Sequence, residues 1–164
     1  MNRDVLVLVE HVQGQVSEIS YVLLAAARGL AAGSGGDVVG VLLGHDAASL
    51  AAGLAADRVL YVDHPTLAEF TSEAYTAVLT GLVGDHTPRA VLFGDTSIGA
   101  DVAGGLSARL ELPVVSSCKT LRADTGAATY TAQICGGKIM VEGPLPEPTA
   151  LVLMIPGAYA AEEG

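Results

Sequence analysis

The sequence has no tryptophan, and its aromatic residues are only two phenylalanines and five tyrosines in 164 positions. A hydrophobic core must therefore be assembled from Ala, Val and Leu, since hydrophobic residues still make up 51% of the chain. Positive charge is equally scarce: 8 Lys and Arg face 18 Asp and Glu, a formal net charge of −10. A nucleic-acid binder needs cations to neutralise phosphates, so that class is excluded. Only 16% of residues are charged, which excludes a disordered, highly charged chain. The two cysteines, Cys118 and Cys135, are too few for a disulfide framework or a zinc site. They are read as small hydrophobes in strands, reduced, in a cytoplasmic protein. Mean hydropathy is +0.49, yet no run of about 18 apolar residues escapes interruption by glycine or charge, so no membrane insertion is expected. The first residues, Met1-Asn2-Arg3-Asp4, do not open a signal peptide.

What is present is one domain's length of alternating strand and helix signals. Apolar runs at residues 5–9, 38–43, 58–62, 90–93 and 113–116 read as strands. Between them, Val16, Ile19, Leu23, Ala26 and Leu30 recur at helical spacing, with Gly33 expected just past the helix end. A short helix is expected over 47–54. Leu67, Phe70, Ala74, Val78 and Leu82 line a second long helix, and residues 98–110 a third. This alternation predicts an α/β fold of three layers, a doubly wound and mainly parallel Rossmann-like sheet. After Cys118 the helices cease. Segments 129–134, 138–142 and 150–155 read as antiparallel strands added at the sheet edge. Residues 160–164 read as a loose tail of the single domain 1–164.

Two local features could carry chemistry. The turn Gly94-Asp95-Thr96-Ser97-Ile98-Gly99 follows a strand and opens a helix. Helix-terminal N–H groups attract anions and glycines permit close approach, so Gly94, Thr96, Ser97 and Gly99 are the candidate anion or nucleotide turn. The turn is neither a P-loop, because Ala100-Asp101 stand where Lys-Ser/Thr would, nor a dinucleotide fingerprint. The simpler reading is that Thr96 or Ser97 caps the helix. Glu10 and His11 lie at the carboxyl end of the first strand, on the sheet edge where open α/β folds bind ligands. They could form an acid–base pair, but neighbouring strand residues point to opposite faces and need not converge. His64 beside Asp63 has the same status. His45 and His86 fall in expected loops. Tyr61, Tyr75 and Phe70 are read as core. No metal cluster or catalytic triad is expected.

Taken in order, the segments resemble the N-terminal domain of the alpha subunit of electron transfer flavoproteins. The resemblance is carried by Val5-Leu6-Val7-Leu8-Val9-Glu10-His11 with Gly14, Val16 and Ser20. Ala56-Asp57-Arg58-Val59-Leu60-Tyr61-Val62-Asp63-His64-Pro65 and Phe93-Gly94-Asp95-Thr96-Ser97-Ile98-Gly99-Ala100-Asp101 extend it. Leu112-Pro113-Val114-Val115, Gly136-Gly137-Lys138 and Pro156-Gly157 complete it. The resemblance implies a nucleotide-binding-like, adenine-nucleotide alpha-hydrolase-like fold that serves as scaffold and interface, not as an enzyme. It implies FAD held by a following domain, a beta-type subunit as partner, and AMP in that partner. The sequence is similar up to the point where the flavin domain would begin, so a separate FAD domain is a further expected partner. Ala100, Gly105, Ala132 and Ile155 stand where the resembled family often carries arginine, and Ser117 where it often carries aspartate. The chain is therefore not expected to hold FAD alone, and a homodimer is expected in isolation. The alternative reading is a small adenine-nucleotide-binding module of the universal-stress type.

Overall fold

The computed structural model describes residues 2–125, 127–161 and 164. The first strand, β1 (Val5–Leu8), is apolar at every position and fully buried, as a strand covered on both faces must be. A two-residue hairpin follows, β2 (His11–Val12) and β3 (Gln15–Val16). Its turn, Gln13-Gly14, has positive φ at both residues, the geometry that matches the strand twist in a tight hairpin. Helix α1 (Glu18–Ser34) buries Ile19, Leu23, Ala26 and Leu30 as their spacing foresaw, with Val22 and Ala27 added, while Val16, expected on the same face, lies in β3 before the helix. It ends two residues later than expected: Gly33 lies within it, and Gly35 (φ 76°) takes the left-handed cap. Gly33 instead lets α1 lie directly against the Ala123 backbone, where a Cβ would collide.

Strand β4 (Val38–Gly44) is again buried throughout. The helix expected next is a 3-10 segment, Ala48–Gly53, with no buried residue, leading to β5 (Arg58–Asp63). Helix α2 (Ser72–His86) starts at its Thr71 cap, whose hydroxyl accepts from the Ala74 amide. Leu67 therefore belongs to a separate 3-10 turn, Pro65–Leu67. His86 closes α2, not a loop. Strand β6 (Ala90–Gly94), α3 (Ser97–Leu110) and the long β7 (Val114–Asp124) follow. The antiparallel extension is β8 (Ala127–Ile134) and β9 (Ile139–Pro144), and β10 (Ala150–Met154) closes the described elements.

The eight-stranded sheet has the order β5-β4-β1-β6-β10-β7-β8-β9. Pairings from β5 across to β7 are parallel, and β7–β8–β9 are antiparallel. The fold is thus the expected three-layer α/β architecture with an antiparallel extension. One expectation is corrected. Segment 150–155 does not join the edge; β10 runs parallel between β6 and β7, in the middle of the sheet. All five of its residues are buried, the signature of a strand covered on both faces. Side-chain alternation divides the core in two. Val5, Val7, Leu92, Val115 and Val152 pack with α1. Leu6, Leu8, Val91, Phe93 and Leu151 pack with α2 and α3.

The buried Arg89 holds the return of the chain from edge to centre. Its guanidinium donates to the carbonyls of Pro146 (2.7 Å) and Leu145 (3.0 Å). The Thr149 hydroxyl donates to the Pro88 carbonyl beside it. In the tail, Ala160 and Ala161 are exposed, and the Gly164 amide donates to the Gly53 carbonyl. Residues 162 and 163 of the expected loose tail lie outside the described residues. No helix among the described residues is long and apolar enough to cross a membrane.

Candidate functional site

Sheet order reverses at β1: β4 lies on one side and β6 on the other. That switch point is where an open α/β sheet forms its ligand crevice. Glu10 and the Gly94–Gly99 turn meet there. The Glu10 carboxylate oxygen accepts the Thr96 hydroxyl hydrogen at 2.6 Å. The same Thr96 oxygen accepts the Gly99 amide at 3.1 Å, capping α3. A Cβ at Gly99 would collide with the Gly94 carbonyl, and one at Gly94 would crowd Ile19 and the Glu10 carboxylate. Both glycines are therefore needed for the turn to close over Glu10. Ser97 opens the helix but is exposed. Of the two caps considered, Thr96 is the one used.

Glu10 is itself fixed through its backbone. Its amide donates to the Ser20 hydroxyl oxygen (2.8 Å), its carbonyl accepts that hydroxyl's hydrogen (3.1 Å), and the carbonyl also accepts the Ser17 amide. Burial raises the Glu10 pKa above the ordinary carboxylate value, while the Thr96 hydrogen bond acts in the opposite direction. Tyr75, read from sequence as core, is buried and donates its hydroxyl to the Leu43 carbonyl at 3.1 Å. Burial and then the Glu10 charge raise its pKa. Tyr75 carried no motif signal, because only folding brings α2 beside β4.

His11 does not join Glu10. Its Nε2 lies 2.6 Å from the Leu43 carbonyl; since a carbonyl only accepts, that nitrogen carries the hydrogen. The Glu10 carboxylate bonds Thr96 instead, and among the described residues no hydrogen bond joins it to His11. His64 caps the Pro65–Leu67 turn by accepting the Thr66 amide.

His45 is exposed and lies 3.1 Å from Asp63 and 3.5 Å from Asp46. One ligand atom from each of these three residues falls within 4.8 Å of the others. The Asp63 pKa is lowered by the Asp46 amide and by His45. The triad could contact a divalent cation. Beside it, a cavity of about 400 Å³ is lined by His11, His45, Asp46, Glu69 and Tyr75 among others, with no Lys or Arg.

The cysteines divide. Cys118 is buried, as expected, and burial pushes its thiol up to about 12. Cys135 is exposed in a 3-10 turn, Cys135–Gly137, not buried in a strand. The hairpin between β8 and β9 turns there, which the neighbouring Gly136-Gly137 pair anticipated.

These residues do not suit the phosphates of FAD or AMP. At the start of α3 Thr96 takes up the Gly99 amide and is backed by the Glu10 carboxyl, and Asp95 lies beside it with its amide donated to the Met154 carbonyl. A phosphate would meet acidic groups there.

The profile of the electron transfer flavoprotein domain matches residues 5–164. The chain belongs to the electron transfer flavoprotein family. It is 30% identical to the electron transfer flavoprotein subunit alpha of Bacillus subtilis (strain 168), over 99% of this chain and 50% of that protein. It is 35% identical to the acryloyl-CoA reductase electron transfer subunit beta of Anaerotignum propionicum, over 74% of this chain and 34% of that protein. A FixB protein of Rhizobium meliloti (strain 1021) is 32% identical over 84% of this chain and 41% of its own length. The chain thus spans half or less of these relatives, and its family membership supports the electron-transfer reading over the universal-stress one.

Proposed function

We propose that the chain acts as a structural, partner-binding component of a flavoprotein electron-transfer system, without holding FAD by itself. The observation that carries this reading is the family match over residues 5–164. The closed Glu10–Thr96 crevice supports it, because a scaffold domain needs no phosphate cradle. FAD belongs to a flavin-binding domain outside residues 1–164, and AMP, where present, to a beta-type subunit. That subunit and the flavin domain are the proposed partners, with electrons passing through their cofactors and no catalytic residue supplied here. The proposed compartment is the cytoplasm.

The test is calorimetric titration of the purified chain with FAD, AMP and ATP, followed by co-expression with a beta-type subunit and a flavin domain from the same source. The expected result is no heat with any nucleotide and recovery of a yellow complex on co-expression. Tight FAD binding by the chain alone, or failure to co-purify with either partner, overturns the reading.

A further inference from the structure

The cavity of about 400 Å³ beside His45 is lined by the segments that follow β1, β4 and β5, at the edge where open α/β sheets hold ligands. Its volume lies among small-molecule sites, about 300–1,000 Å³, and far exceeds the roughly 30 Å³ of one water. Phe70 and Tyr75 form an aromatic wall, edge to face with ring centroids 4.9 Å apart. Tyr75 is buried and Phe70 half-buried, whereas Asp46 and Glu69 lie exposed. No Lys or Arg lines the cavity. Among the described residues Glu69 has no cationic partner, and Asp46 has only His45.

The polar side chains of this lining have spent their hydrogens elsewhere. The Leu43 carbonyl accepts both the His11 Nε2 hydrogen and the Tyr75 hydroxyl hydrogen. The neutral His11 ring then keeps a lone pair at Nδ1, and the Tyr75 oxygen keeps only lone pairs. The Asp63 carboxylate accepts the His45 Nδ1 hydrogen at 3.1 Å, which leaves a lone pair at Nε2. That lone pair faces the Asp46 carboxylate at 3.5 Å. Two acceptors so placed call for a shared donor. The Asp46 and Ala47 amides do not supply it, because they donate to Asp63 and to the Tyr61 hydroxyl oxygen. The other side-chain donors in the lining, Gln13 and Ser49, are uncharged and bring acceptors of their own.

We infer that this cavity binds a small organic cation rich in N–H donors, an aliphatic ammonium or guanidinium. Its N–H groups bond the acceptors of Asp46, His45 and Glu69, and its charge offsets the two carboxylates. The Phe70–Tyr75 wall receives its carbon chain and attracts its charge. A carboxylate or phosphate ligand would meet two like charges and no cation. A lone divalent ion at His45, Asp46 and Asp63 would leave most of the cavity, the aromatic wall and Glu69 unused. None of these residues serves the proposed function, so the site stands or falls separately from it.

The test is calorimetric titration of the full chain with 1,4-diaminobutane, in a buffer free of amines at pH 8, above the ordinary imidazole range. 1,4-Butanediol, which lacks the charge, and zinc ion are titrated in parallel. The expected result is one-site binding of the diamine and none of the diol. Asp46→Asn and Glu69→Gln should each weaken it about tenfold or more, the worth of one charge-assisted hydrogen bond. Asp85→Asn removes the same charge from an exposed position at the other end of α2 and should leave binding unchanged. Circular dichroism checks that the three variants, all at exposed positions, stay folded. A cavity that takes zinc but not the diamine, or neither, overturns the inference. So does a diol that binds as tightly as the diamine. An equal loss in all three variants overturns it too, since that would reflect only the net charge of −10.

Discussion

The carboxyl of Glu10 accepts the hydroxyl of Thr96 at 2.6 Å, across 86 residues of sequence. That bond ties the end of β1 to the start of α3 and closes the crevice between β1 and β6. It converts a position suited to an anion into an internal joint.

Thr96→Val should therefore do two kinds of damage. It uncaps α3 and leaves a buried carboxyl without its donor, with a combined cost of about 1–3 kcal/mol. Thr96→Ser keeps the oxygen and should retain most of the stability. Chemical denaturation of the three proteins checks this; equal midpoints for valine and wild type would rule the joint out.

Glu10 also sets a pH dependence. Its pKa in the fold is raised from 4.5, chiefly by burial, so the fold disfavours the charged form. The stability it contributes is fully present below the unfolded value and is lost as pH rises through the folded value. Glu10→Gln should be more stable than wild type at pH 8, with the gap closing as pH falls towards 4.5. Asp4 and Asp57 are shifted down, principally by the Asp37 and Val38 amides. They act in the opposite sense only below their ordinary range, and the difference between the melting curves of wild type and Glu10→Gln from pH 5 to 8 isolates Glu10, because every other titrating group is common to both proteins.

The thiols provide an independent check on packing. Cys118 is buried with its thiol pushed up to about 12, whereas Cys135 is exposed. A thiol-reactive dye at neutral pH should label one site quickly in the native protein and two after denaturation. Cys135→Ser should abolish the fast phase, and rapid labelling that survives this substitution would contradict the packing.

Arg89 should be costly to replace. Its buried guanidinium supplies both donors to the Leu145 and Pro146 carbonyls. Arg89→Leu leaves those carbonyls unpaired, at about 2–4 kcal/mol. Arg89→Lys should rescue only part, because an ammonium cannot reproduce the planar fork. Urea denaturation midpoints decide the order.

The parallel strands and the long helices were legible because each carries its own period. The unbroken apolar run of β1 and the spaced apolar face of α1 are local properties. The place of β10 was not legible in the same way. A run such as Ala150–Met154 announces a strand, and its lack of polar residues is consistent with two covered faces. It does not say which neighbours supply the cover. Strand alternation did not decide the Glu10–His11 pair, because β1 ends at Leu8 and His11 opens β2, leaving Glu10 between the two strands. That Glu10 and the Gly94–Gly99 turn share one sheet edge was expected from the strand order, but the direct bond of Glu10 to Thr96 was not, because it depends on β6 lying beside β1. Cys135 was misplaced because a hairpin turn interrupts an otherwise apolar stretch, where glycine conformation outweighs side-chain character.

The central position of β10 has a consequence for biosynthesis. Within the sheet, the half built from β5, β4, β1 and β6 meets the half built from β7, β8 and β9 only through β10. That strand is among the last parts of this sequence to leave the ribosome. Without it, neither β6 nor β7 has its second neighbour in the sheet. The sheet is completed by insertion at its middle, and a chain interrupted before residue 150 would carry two unfinished edges in place of one continuous core.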